Sequence, residues 1–213
     1  MKRIYFMPFL ILCLLHISVQ AQQDKSAFVA VEKGQFKLEG KPYYYIGTNF
    51  WFGAILGSDG RGGNRERLLK ELDLMKEHGI DNLRVLVGAE GPDNIEFRTT
   101  PVLQNKPGIY NDTILTGLDF LLAEMGKRKM KAILFLNNSW DWSGGLVQYL
   151  NWNGYPNPPV LGEENGWVKY QAYTTQFYTC EPCKKQFQDH IRFMVGRTNH
   201  YTKKAYTDDP AIM

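Results

Sequence analysis

Five carboxylates fall in the polar stretches that follow the apolar runs of this chain: Glu90, Asp93, Asp141, Glu163 and Glu164. Two of them held together would supply a general acid and a general base. Nothing in the local sequence predicts the burial that would raise one pKa and keep a proton ready for donation, so each reads as a solvated loop charge. Arg84 stands alone in the apolar run Leu83-Arg84-Val85-Leu86-Val87. A charge in such a run is costly unless paired, and the guanidinium fork suits orienting a carboxylate; a structural salt bridge is the plainer alternative. Indoles and amides gather in two further stretches, Gly47-Thr48-Asn49-Phe50-Trp51-Phe52-Gly53 and Asn137-Asn138-Ser139-Trp140-Asp141-Trp142-Ser143-Gly144-Gly145. Such rings stack on the apolar faces of neutral sugars, although any one of them is as readily a packing residue.

Charge points the same way. The 213 residues carry 25 Lys and Arg against 22 Asp and Glu, for a net charge of +3. Residues 1–21 contain Lys2 and Arg3, an apolar run from Ile4 to Ile17 and a small-x-small site at Val19-Gln20-Ala21, which together read as a secretory signal peptide. The run is shorter than a membrane span needs. Setting that segment aside leaves 192 residues, 22–213, with a formal charge of +1 and no basic block. A nucleic-acid partner or an anionic membrane surface therefore has no electrostatic footprint here. A secreted location, extracellular or periplasmic, and a neutral partner are expected. Of the three cysteines, Cys180 and Cys183 remain, as Cys-Glu-Pro-Cys. That spacing fits a redox motif, half a zinc site or a local disulfide. Zinc lacks a second Cys pair and finds only scattered His residues, so a structural role is expected, and no motif calls for a metal or a cofactor.

The elements that must position these groups alternate between strand and helix. Phe28 to Leu38 with Glu39-Gly40-Lys41-Pro42 reads as a hairpin and turn, and Tyr43 to Ile46 as a buried strand. Asn64 caps a helix whose apolar positions are Leu68, Leu69, Leu72 and Met75, ended by Gly79. The run around Arg84 reads as a strand buried on both faces. Asn111-Asp112-Thr113 opens a second helix with Leu115, Leu118, Leu121, Leu122 and Met125 on its apolar face, closed by Gly126. Ala132 to Leu136 forms the next buried strand, helices follow over 167–177 and 182–198, and Ala211-Ile212-Met213 begins a fourth strand. This order predicts an α/β protein with a parallel sheet. Gly57-Ser58-Asp59-Gly60-Arg61-Gly62-Gly63 lies too far past its strand to be a dinucleotide fingerprint and reads as a surface loop. A (β/α) barrel, with its site at the C-terminal strand ends, is the better fit.

The block from Asn137 to Gly145, continuing to Gln148-Tyr149 and Trp152, resembles the third-strand signature of endo-β-1,4-mannanases of glycoside hydrolase family 5. Gly47 to Trp51, Arg84, Asp189-His190, Arg197-Thr198-Asn199 and Tyr206-Thr207-Asp208-Asp209-Pro210 match in the same order. The resemblance implies a secreted (β/α)8 TIM barrel that cleaves internal bonds of mannan, glucomannan or galactomannan with retention, using two carboxylates about 5 Å apart. It implies that Arg84 orients the nucleophile, that Asn137 and Asn138 face or support the cleft, and that Trp51, Trp140 and Trp142 bind the β-mannan. The family's acid/base and nucleophile Glu residues would both fall beyond Met213. A whole barrel takes about 250 residues, so residues 22–213 are expected to form the N-terminal half of one, with three βα units and the start of strand four. Alone, that half is expected to be inactive and to self-associate through its open sheet edges. The alternatives are a secreted glycan-binding product of a truncated gene, or a related β-glycanase such as a cellulase.

Overall fold

A computed structural model describes residues 27–213; the signal-peptide reading of 1–21 lies outside the described residues. The chain begins with a small antiparallel sheet of β1 (Ala30–Glu32), β2 (Gln35–Leu38) and β3 (Lys41–Pro42). The buried strand expected over Tyr43 to Ile46 is displaced. Tyr43 to Tyr45 belong to no strand, and β4 runs over Ile46–Asn49 with all four residues exposed. Its hydrophobic start reflects an open sheet edge, with Ile46 63% exposed and Tyr44 84% exposed.

At the centre, β5 (Ile80–Leu86) and β8 (Lys131–Phe135) join β4 in a parallel sheet of order β4-β5-β8. Register pairs Asn49 with Arg84, and Arg84 with Ile133 on the other side. Beyond β8 the chain end adds on in parallel. Ala132 bridges Ile212, the Ala132 N–H donates to the Ala211 carbonyl at 2.7 Å, and the Met213 N–H donates to the Ala132 carbonyl at 2.9 Å. That contact is where the sequence places the beginning of a fourth strand.

Two helices cover one face of this sheet. After the short α1 (Gly53–Leu56), α2 spans Arg65–Glu77, and the Asn64 side chain accepts the Arg67 N–H at the capping position. A hairpin of β6 (Gln104–Lys106) and β7 (Ile109–Tyr110) precedes α3 (Asp112–Lys127), capped by Asn111. Gly126 does not close α3 but lies inside it; the helix ends at Lys127, and the left-handed residue beyond it is Lys129. Leu68, Leu72, Leu83, Leu121 and Leu122 are fully buried between sheet and helices, so the apolar spacing of α2 is satisfied against β5 and that of α3 against β8 and α1.

The remaining helices build a second core. α4 (Gly145–Trp152), α5 (Gly166–Thr175) and α6 (Glu181–Val195) enclose Tyr149, Tyr170 and Phe177. Cys180 and Cys183 form a disulfide at the start of α6, the local bridge among the readings of that pair, which leaves no thiolates for zinc. Asp119 on α3, 1% exposed, then latches the segment leading to the chain end. It pairs with Arg197 at 2.8 Å, accepts the Tyr206 hydroxyl at 2.5 Å and offers its carbonyl to Asn199 at 2.9 Å. Among the described residues no helix is long and apolar enough to cross a membrane.

Candidate active site

Because β4, β5 and β8 are parallel, the segments leaving them emerge at one end of the sheet. The segment after β8 carries the densest set of polar and aromatic groups. Its path is fixed from within: Asn138 Oδ1 accepts the Trp140 N–H at 3.2 Å, Asp141–Ser143 form one 3₁₀ turn, and the Gly144 N–H returns to the Asp141 carbonyl at 2.8 Å. Gly144 and Gly145 then take φ of +83° and +58°. A Cβ on Gly144 would collide with the Glu90 carbonyl, and one on Gly145 with the Asn138 carbonyl, so only glycine fits this close approach.

Glu90 supports that loop and corrects its reading as a solvated charge. It is 1% exposed. Its Oε2 accepts the Gly145 N–H at 3.0 Å, its Oε1 accepts from Asn137 Nδ2 at 3.5 Å, and its own N–H donates to the Ser143 carbonyl at 2.9 Å. Burial pushes the carboxyl up to about 8, against the pull of the Gly145 and Asn137 hydrogen bonds and the Arg98 charge. The group is therefore protonated at neutral pH and turned inward. Burial, with Glu90 nearby, also drives the Tyr149 phenol far above its ordinary value, and the Tyr149 hydroxyl donates to Gln104 Oε1 at 3.4 Å. The other four carboxylates stay near the surface: Asp93, Glu163 and Glu164 are exposed and Asp141 is half-buried. Asp93 Oδ1 accepts the Val102 N–H at 2.6 Å and serves its own loop.

Arg84 departs from the expectation of a buried charge. It is the exposed position of β5. Its guanidinium lies 3.5 Å over the Phe135 ring and donates to Asn49 Oδ1 at 3.4 Å, and among the described residues it has no ion-pair partner. The register explains this, since Asn49 and Arg84 are paired neighbours on β4 and β5. A strand otherwise buried thus presents one cation, held by a ring and an amide, at the open side of the sheet.

The three tryptophans do not form one wall. Trp51 meets Trp142 edge-on, with ring centroids 5.3 Å apart, and Trp142 packs on the main core. Trp140 instead meets Trp167, at 4.7 Å and 32°. Spacing does not single out Trp167, because it lies on α5 beyond a long loop. Asn137 and Asn138, both half-buried, stand at the root of the same loop. His190, 1% exposed, pins α6 beneath the strand ends, with Nε2 against the Val87 carbonyl at 2.9 Å and Nδ1 against the Tyr110 hydroxyl at 3.2 Å. The carbonyl requires a proton on Nε2, leaving Nδ1 as acceptor, and burial holds the ring down at about 4.

A profile of glycoside hydrolase family 5 β-mannosidase-like proteins matches residues 26–213. The chain belongs to glycoside hydrolase family 5. Within that family it is similar to mannan endo-1,4-beta-mannosidase 1 of Solanum lycopersicum, 30% identical over 192 residues, covering 90% of this chain and 43% of that protein. It is also similar to mannan endo-1,4-beta-mannosidase 7 of Arabidopsis thaliana, 30% identical over 216 residues, covering 100% of this chain and 46% of the relative. Among solved structures, the family 5 mannosidase from Rhizomucor miehei superposes with a TM-score of 0.83 at 37% identity, covering 88% of this chain and 47% of that one. This family 5 chain thus spans less than half the length of the curated relatives it matches.

Proposed function

We propose that the protein is an exported mannan endo-1,4-β-mannosidase that hydrolyses internal β-1,4-mannosidic bonds with retention, and that the parallel sheet is the first part of a (β/α)8 barrel. The observation that carries this is the anchored Asn137–Gly145 loop of a family 5 chain, which holds two amides and two indoles at the C-terminal strand ends. Relatives named as mannan endo-1,4-beta-mannosidases along this same stretch support mannan as the substrate. In this reading Arg84 orients a carboxylate nucleophile, Asn137 and Asn138 face the cleft, and Trp51, Trp140 and Trp142 line it. The disulfide between Cys180 and Cys183 suits an oxidising, exported location.

Retention requires two carboxyl groups on either side of the scissile bond. Glu90 is turned inward on Gly145 and Asn137, and Asp93 is spent on Val102. Neither is free to take part, and residues 27–213 alone should not turn over mannan. A second reading, exo-acting release of mannose, is favoured by the likeness to the Rhizomucor mannosidase. Product analysis on β-1,4-mannohexaose, with the protein made from its full reading frame, separates them. Mannobiose and mannotriose as early products support the endo reading, and mannose alone supports the exo reading. Turnover of carboxymethylcellulose with none of mannan would make it a cellulase. Retention on a mannan affinity gel without any turnover would leave a glycan-binding protein.

A further inference from the structure

Among the described residues three indoles are exposed, Trp51, Trp140 and Trp167, and of these Trp140 and Trp167 stack on each other outside the main core. Trp140 is 46% exposed and Trp167 is 42% exposed, with ring centroids 4.7 Å apart and planes at 32°. Trp167 in turn lies parallel to Tyr170, at 5.9 Å and 8°. Tyr170 is 2% exposed and belongs to the second core, and its hydroxyl donates to the Ser139 carbonyl at 3.0 Å. The three rings form a ladder rooted in the core and tied at Ser139 to the loop that bears Trp140. The backbone of Trp140 is itself fixed by Asn138.

Two half-exposed indoles carry a large apolar surface each, and these two stand on the segments that follow the C-terminal end of β8, where a barrel of this kind holds its substrate. The arrangement differs from that of Trp51 and Trp142, where the partner ring Trp142 packs on the main core and the pair meets edge-on. The base of the ladder is rigid, so little rotamer freedom remains to be lost on binding.

We infer that Trp140 and Trp167 together form a stacking subsite for one hexopyranosyl unit of a neutral β-1,4-linked polysaccharide, with Tyr170 as the backing ring. This rests on the reading of the protein as mannan-active, and extends it to Trp167, to a composite ring surface and to energetic coupling between the two indoles. If the two rings make one subsite, removing either removes most of its contribution, and removing both costs little more than removing one.

The test uses the protein from its full reading frame and β-1,4-mannohexaose. Trp167→Ala should weaken the apparent affinity for mannohexaose, read as a rise in KM, about five- to tenfold, the value of a ring contact. Trp140→Ala should match it, the double variant should fall within about twofold of either single variant, and Trp167→Phe should recover most of the loss. Unchanged affinity in a folded Trp167→Ala protein, or losses that multiply in the double variant, would overturn the inference. Should the variants fail to fold, the wild-type protein gives the answer by oxidation with N-bromosuccinimide and peptide mass mapping. Saturating mannohexaose should protect residues 140 and 167 together. If mannan is cleaved but neither indole is protected, the subsite is wrong while the functional reading stands. If cellohexaose protects both and mannohexaose neither binds nor is cleaved, the subsite stands and the mannan reading fails.

Discussion

Replacing Glu90 by Gln isolates one buried proton. In the folded chain burial lifts the Glu90 carboxyl from its ordinary 4.5 to about 8, and unfolding returns it to water. Between those values the native state holds a proton that the unfolded state has released, so stability falls as pH rises, by roughly 1.4 kcal/mol per pH unit. The contribution is complete below about 4.5 and gone above about 8, an excursion on the order of 5 kcal/mol. Gln keeps the shape and an oxygen for the Gly145 N–H, and it does not titrate. His190 acts in the opposite sense, because a ring held at about 4 instead of 6.5 costs stability as pH falls through that window. Both proteins share His190, so subtracting one pH curve from the other leaves Glu90. Measured by urea unfolding, the Glu90→Gln variant should gain on the wild type by on the order of 4 kcal/mol between about pH 5 and about pH 8. In thermal melts that is about 10 °C for a chain of this size. Parallel curves for the two proteins would refute the reasoning, since they would mean that Glu90 is ionised, or reaches water, in the fold.

Four further outcomes follow from the geometry. Gly144→Ala, at φ +83° and against the Glu90 carbonyl, should destabilise by at least about 1–2 kcal/mol, seen as a lower melting midpoint; an unchanged midpoint would mean that the loop is not held as described. Arg197→Ala leaves Asp119 charged and buried beside Tyr206, and should cost about 3–5 kcal/mol by urea unfolding, with partial recovery in Asp119→Asn/Arg197→Ala. Reducing the Cys180–Cys183 bridge, which closes a loop of sequence separation 3, should cost about 2 kcal/mol, read as a melting shift on adding dithiothreitol. The open edge of β4, with Ile46 63% and Tyr44 84% exposed, should make residues 27–213 self-associate, and light scattering that gives a monomer mass across a tenfold concentration range would contradict this.

Much of the frame was legible because its signals are local. Asn64 and Asn111 cap α2 and α3 as their spacing suggests, and the leucines behind them reach the core. Tyr43 to Ile46 misled because apolar content shows that a segment suits a sheet without showing which side has a neighbour; β4 has β5 on one edge only. α4 carries no local helix signal, since Leu146-Val147-Gln148-Tyr149-Leu150 is as apolar as a strand and its helical start depends on two glycines with positive φ. At the site the loop residues were legible and their supports were not. Glu90 owes its burial to Gly145 and Asn137, 55 and 47 residues away, and Trp140 meets a ring on a distant helix. Arg84 was found by its rarity in an apolar run, but its ring and amide partners sit on neighbouring strands.

These supports share a physical reason. The Asn137–Gly145 loop packs Trp142 on the main core but leaves Ser139 and Trp140 exposed, so burial alone does not order it. Polar anchors from beneath do the rest: the Glu90 carboxyl on Gly145, the Ser143 carbonyl on the Glu90 N–H, and the Tyr170 hydroxyl on Ser139. Burial favours the neutral carboxyl there, since it leaves no net charge in a site closed to water, while the Gly145 and Asn137 hydrogen bonds pull the other way. The ordering cost is then met when the chain folds and does not recur when a sugar arrives. It follows that loosening the anchor should weaken sugar binding through the loop. Glu90→Ala, which leaves the Gly145 N–H unpaired, should raise KM for mannan in the full-length protein while Glu90→Gln holds it near wild type. Equal KM values for the two variants would show that the loop is ordered by something other than this carboxyl.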